Sequence, residues 1–176
     1  MSEIFLLCGY VIAHYTVAPV QEDALELCQE IGELSESVGV DPYLSISLAY
    51  YESRFNVDAI SDAGAIGSLQ ILPRYHCFEI GHDCHRLIDS NGEYIPLETD
   101  SCYSQSTSLG VCALSRYLVE SLGDQVVAVA RYHGGRNPSQ RSVRYASTVV
   151  RFSETLRREI GGAGTNRQAP APPSKE

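Results

Sequence analysis

In the stretch VDPYLSISLAYYESRF, Leu44, Leu48, Tyr51 and Phe55 recur at i, i+4, i+7 and i+11, one apolar stripe along a helix. Asp41 is a good N-cap and Pro42 suits the first helical position, so the helix is expected to begin there. At about 100° per residue, Glu52 falls roughly 70° from the centre of the stripe, at the border of the core. Asn56 to Gly67 then carries Asp, Ser and Gly signals and reads as loop. A helix that ends greasy, carries one carboxylate at its edge and runs straight into a glycine-punctuated loop fixes where the interior must be and what must cover it.

The rest of the chain keeps the helical period. PVQEDALELCQEIGELSESVGV places Leu27, Ile31, Leu34 and Val38 at helical spacing, with acids early and Gly39 as the stop. Helical pattern returns in TSLGVCALSRYLVESLG, DQVVAVARYHGG and RSVRYASTVVRFSETLRREIGG. SLQILPRY reads as a short helical segment interrupted by Pro73, and residues 76 to 106 as irregular, with SNGEY a turn. There is no internal repeat and no long strand pattern, so the fold class is mainly α. The 176 residues suffice for one domain with a real core. The division expected is an apolar N-terminal segment 1–19, a domain 20–160 with an insertion 74–106, and a disordered Pro/Ala tail 161–176.

Charge and cysteines limit the partners. A net charge of −9 argues against general attraction to nucleic acid or anionic lipid. The basic residues Arg131, Arg136, Arg141, Arg144, Arg151, Arg157 and Arg158 nevertheless gather in the C-terminal third, where an anionic polymer could be met. The apolar run IFLLCGYVIAHYTVA, 15 residues long, is short for a membrane span, which leaves an atypical export or membrane signal as the alternative to a buried segment. No Lys or Arg precedes it, as a standard export signal would need, and no small residue stands just before Cys8, as a lipoprotein signal would; it reads as a buried N-terminal segment. Of six cysteines, Cys77, Cys84, Cys102 and Cys112 cluster, compatible with disulfides in an oxidising compartment or thiols in a reducing one. HCFEIGHDCHRL also brings His76, His82 and His85 close to two cysteines, but this is not a standard zinc spacing, so no metal and no cofactor is expected.

Glu52 carries the chemistry. A carboxyl at a helix C-terminus meets the negative end of the helix dipole, and Tyr50, Tyr51 and Phe55 remove water from it. Both effects favour the neutral acid, which is what a general acid needs in order to protonate a poor leaving group such as a glycosidic oxygen. On position alone, an ordinary helix-end glutamate in a surface ion pair with Arg54 is the better reading.

The whole pattern is more specific. Glu52-Ser53, Phe55-Asn56, Ala59-Ile60-Ser61, Gly64-Ala65-Ile66-Gly67 and Gln70-Ile71-Leu72-Pro73 resemble, in order and spacing, the signature of the SLT lytic transglycosylases, related in fold to goose-type lysozyme. ARYHGG resembles the family's Tyr-Asn-Ala/Gly-Gly element, and RYASTVVRF its final tyrosine-containing helix; the likeness covers roughly residues 36 to 155. This chain departs from the family at Leu69, where a methionine is usual, and at His133, where an asparagine is usual.

The resemblance implies a lysozyme-like single domain and a peptidoglycan substrate. Glu52 would be the one catalytic acid, with Ser53, Gly67, Ser68, Leu69, Gln70, Tyr132 and His133 along the glycan groove and the Tyr132 hydroxyl bonded to Glu52. Cleavage of the β-1,4 bond between N-acetylmuramic acid and N-acetylglucosamine would leave a 1,6-anhydro end. Lysozyme-type hydrolysis, or a noncatalytic glycan-binding domain of an envelope-penetrating machine, are the alternatives. Asp58 and Asp62 are candidate second acids, although turn and capping roles suit them better. The insertion is expected beside the groove, with a disulfide from Cys77 or Cys84 to Cys102 or Cys112. The expected setting is a phage virion or the bacterial periplasm and envelope, with glycan strands as partner and other virion or secretion-apparatus proteins as further candidates.

Overall fold

The computed structural model describes residues 2–16, 22–73, 75 and 105–162. Six helices are found among them: α1 (Glu3–Tyr15), α2 (Glu22–Ser37), α3 (Pro42–Ser53), α4 (Ser106–Glu120), α5 (Gln125–Gly134) and α6 (Gln140–Gly162). Extended pairing among the described residues is confined to isolated bridges, Ile60 with Ile66 and Ile66 with Ile71. The fold is mainly α, as the periodicity predicts.

α3 is the central helix. Its N-terminus follows the sequence closely: the Asp41 carboxylate accepts from the Tyr43 amide and Pro42 occupies the first turn. The stripe reading, however, makes α3 too amphipathic. Every residue from Tyr43 to Ala49 is buried, Ser45 and Ser47 included, so this helix is surrounded rather than laid on a core. α6 packs on both α5 and α3, and α2 packs on α3. The helix also ends earlier than the stripe implies. Arg54 (φ 58°) and Phe55 (φ 63°) are both left-handed, so Phe55 reaches the core through a chain reversal and not by helical phase.

The segment set apart as 1–19 is, over residues 3–15, a helix of the same core. Ile4, Leu7, Cys8, Val11 and Ile12 are buried, and Cys8 is disulfide-bonded to Cys28 of α2. Gly32 permits the close approach: a Cβ there would lie 2.6 Å from Ile4 Cγ2. No helix among the described residues is long and apolar enough to cross a membrane. Residues 68–70 form a tight turn where a short helical segment is expected. Gln70 is left-handed (φ 48°), and Ile66 and Ile71 exchange backbone hydrogen bonds of 2.8 and 3.0 Å across it. Cys112 is disulfide-bonded too. The pairing expected for it, the course of the insertion and the state of the tail beyond residue 162 lie outside the described residues.

Candidate active site

Glu52 sits in the last turn of α3, where the left-handed pair at 54 and 55 throws the chain sideways and leaves its carboxyl at the helix end. Most of its surface is covered, and burial pushes its pKa up to about 7. The Tyr145 hydroxyl of α6, donating to Oε1 at 2.6 Å, partly opposes that rise by favouring the carboxylate. The ion pair with Arg54 does not form. The Arg54 guanidinium stacks on the Tyr50 ring instead, 3.8 Å from its centroid.

Aromatic rings take the place of water behind the acid. Phe152 of α6 lies 5.1 Å from Tyr50 and 5.6 Å from Tyr51, and Tyr51 lies 6.4 Å from Tyr145. α1 completes the cluster with Tyr15, whose ring meets Phe152 at 4.9 Å and whose carbonyl accepts from the Tyr50 hydroxyl. Low polarity here follows directly from YY before the glutamate and the i, i+7 pair Tyr145 and Phe152 on α6.

The loop from residue 54 to 72 makes a wall beside Glu52 and is held by its own side chains. Ser53 donates to the Ser68 carbonyl and accepts from the Asn56 amide. The fully buried Ser68 hydroxyl meets that of Thr107 on α4. The Gln70 carboxamide nitrogen donates to the carbonyls of Ala59 and Gly67. Gly67 is required twice over. Its φ is +75°, and a Cβ there would collide with the Ser106 side chain. Ser53, Ser68 and Leu69, expected along the groove, thus have their side chains turned into the wall. Gln70, also expected along the groove, uses its amide nitrogen to close the loop.

Tyr132 of α5 is also placed differently from expectation. A phenol has one proton to donate, and Tyr132 gives it to the Leu69 carbonyl, 2.7 Å away; the hydrogen bond to Glu52 comes from Tyr145. Tyr132 still lies near the acid, whose charge adds to burial in holding the Tyr132 pKa well above its usual value. Gly110 of α4 makes room for this arrangement: a Cβ there would sit 3.1 Å from the Tyr132 hydroxyl and closer still to Leu69. His133, exposed at its edge, packs its ring on Tyr145 (4.4 Å) and meets the Ser142 hydroxyl through Nδ1. Loss of water, then the Arg141 charge, lowers its pKa. Gly134 and Gly135 (φ 75°) end α5 and turn the chain away. A cleft of about 640 Å³ is lined by Tyr132 and His133 together with Leu72, Tyr75, Arg116 and Tyr117.

Asp58 and Asp62 are exposed on the loop, and neither hydrogen-bonds Glu52, whose one side-chain partner among the described residues is Tyr145. No group of three or more metal-ligating side chains occurs among the described residues. A mostly buried, protonatable carboxyl with an aromatic backing and a glycine-shaped wall beside it is an arrangement suited to general-acid chemistry. The pattern of the transglycosylase SLT domain matches residues 29–151. The chain belongs to that family, whose members are lytic transglycosylases acting on peptidoglycan, and its fold is the family's lysozyme-like one. No curated protein matches the chain.

Proposed function

We propose that Glu52 alone serves both half-steps of the reaction. As the neutral acid it protonates the glycosidic oxygen of the bond between N-acetylmuramic acid and N-acetylglucosamine. As the resulting carboxylate it takes the proton of the muramoyl 6-hydroxyl, whose oxygen closes onto C1. The bond to the leaving sugar breaks, a 1,6-anhydro ring forms, no water is consumed, and Glu52 ends protonated as it began. The observation that carries this reading is one mostly buried carboxyl with a pKa of about 7, close to where an acid that must also act as base works best. A two-carboxylate hydrolase would need a second acid at the same sugar, and the loop candidates Asp58 and Asp62 stand exposed. Residues 53 and 67–70 position the wall, and Tyr132 and His133 border the groove. Action at the cell envelope, delivered by a virion or by a secretion or conjugation apparatus, belongs to the same reading. Mass spectrometry of digested wall tests it: anhydro-muramoyl ends are expected, and reducing muramoyl ends would overturn it.

Tyr145 is a positioning residue in this scheme. Tyr145→Phe removes the hydroxyl that aims Glu52 and is expected to lower turnover by about 1–3 kcal/mol of transition-state stabilisation. Because the Tyr145 hydrogen bond lowers the Glu52 pKa, its loss moves the alkaline limb of the pH–rate profile upward. A profile that stays in place while the rate falls would assign Tyr145 to packing alone.

A further inference from the structure

The acidic chain keeps a basic edge beside its site. Between residues 125 and 162 there are seven arginines against two glutamates, while the whole chain stands at −9. On α6, Arg141, Arg144, Thr148, Arg151, Thr155 and Arg158 follow one another at steps of three and four, which aligns them on one edge of the helix. The edge runs about 25 Å at 1.5 Å per residue. All four arginines are exposed, and none has a carboxylate within ion-pair distance among the described residues. Arg151 and Arg158 hydrogen-bond back to their own helix, as do the hydroxyls of Thr148 and Thr155. Of the two glutamates, Glu159 is held by the Tyr10 hydroxyl and Glu154 is exposed.

This edge adjoins the acid. Tyr145, which holds Glu52, and Phe152 behind it lie on α6 next to the arginine edge, between it and the core face. The charges of Arg54 and Arg151 both act on the Tyr51 hydroxyl, and that of Arg141 on His133, so the positive rim follows the α3–α6 side of the site. A muramoyl residue beside Glu52 carries a peptide stem through its lactyl ether, and that stem bears several carboxylates and no phosphate.

We propose that the arginine edge of α6, continued by Arg54, binds the carboxylates of peptidoglycan stem peptides while the glycan lies against Glu52. Guanidinium forks match carboxylates in geometry as well as charge. A row of them suits a polymer that presents carboxylates at intervals. The inference rests on the peptidoglycan reading of the site, and binding separates its failure from failure of that reading.

The test is co-sedimentation of the full chain with insoluble peptidoglycan freed of phosphate-containing wall polymers. A second arm uses the same material after carbodiimide coupling of the stem carboxylates to methylamine. Wild type is expected to bind the untreated wall about tenfold more tightly than the amidated one, and binding should weaken as salt rises. Arg144→Gln/Arg151→Gln/Arg158→Gln should erase that tenfold preference and leave binding to amidated wall unchanged, with an unaltered helical circular dichroism spectrum. Equal binding of wild type to both walls overturns the inference, as does a triple variant equally weakened on both. Tighter binding to phosphatidylglycerol vesicles or to single-stranded DNA than to wall overturns it as well. None of these readings needs cleavage, so the absence of anhydro product would defeat the proposed reaction and leave the binding result standing.

Discussion

Glu52→Gln is expected to abolish wall lysis and, at alkaline pH, to make the protein more stable. The amide keeps the shape and still accepts from the Tyr145 hydroxyl, but it cannot give up and recover a proton. General acid–base participation is worth about 10²–10⁴-fold, and here one group supplies both halves. The stability effect follows from the raised pKa. In the unfolded chain the carboxyl titrates at its ordinary value of 4.5, and in the fold at about 7. Between those values the fold holds a proton that the unfolded chain has released, so stability falls as pH rises through that window. Above it the full penalty of burying a carboxylate is present, of order 3 kcal/mol as an upper figure. Glutamine carries no such penalty. The variant should therefore match wild type near pH 4.5 and melt several degrees higher at pH 8. Turbidity clearing and thermal melts at the two pH values check both halves. Residual lysis within tenfold of wild type would remove Glu52 from the chemistry, and a variant less stable at pH 8 would show that its carboxyl is not a buried acid.

The position of Glu52 was legible because it depends on local facts: helical phase, an N-cap at Asp41, and Asp, Ser and Gly directly after the helix. Its partners depend on long-range packing. Tyr145 meets Glu52 across 93 positions of sequence, and although the helix that carries it stands out in the family resemblance, nothing local says which of the two tyrosines, 132 or 145, points its hydroxyl at the acid. Tyr132 is diverted because Gly110 lets Leu69 come close enough for its carbonyl to take the proton. The wall misled in another way. SLQILP is compatible with helix by propensity, but the left-handed conformations at Gly67 and Gln70 and the Ile66–Ile71 pairing override it. α3 looked one-sided because Ser45 and Ser47 are polar, yet both are fully buried. The Cys8–Cys28 link is not legible in the sequence because cysteine pairing is not encoded in spacing.

That link carries the second large expected effect. Cys8 and Cys28 are both fully buried and close a loop with a sequence separation of 20 between α1 and α2. In the chain-entropy model, releasing a loop of this size destabilises a protein by about 3 kcal/mol, because the unfolded chain regains the freedom that the bond had removed. Cys8→Ala/Cys28→Ala is thus expected to lower Tm by roughly 6–12 °C for a chain of this length. The paired variant is the right probe, since a reductant would also act on the disulfide at Cys112. Activity should suffer before unfolding does. α1 ends in Tyr15, which braces Phe152 and Tyr50 behind Tyr51 and so behind Glu52. When α1 loosens, water reaches the aromatic backing and the carboxyl loses part of the burial that raises its pKa. Below the melting transition, the variant should therefore show an alkaline limb of its pH–rate profile shifted to lower pH. A Tm within a degree of wild type, with the limb unmoved, would mean that Ile4, Leu7, Val11 and Ile12 hold α1 in place without the bond.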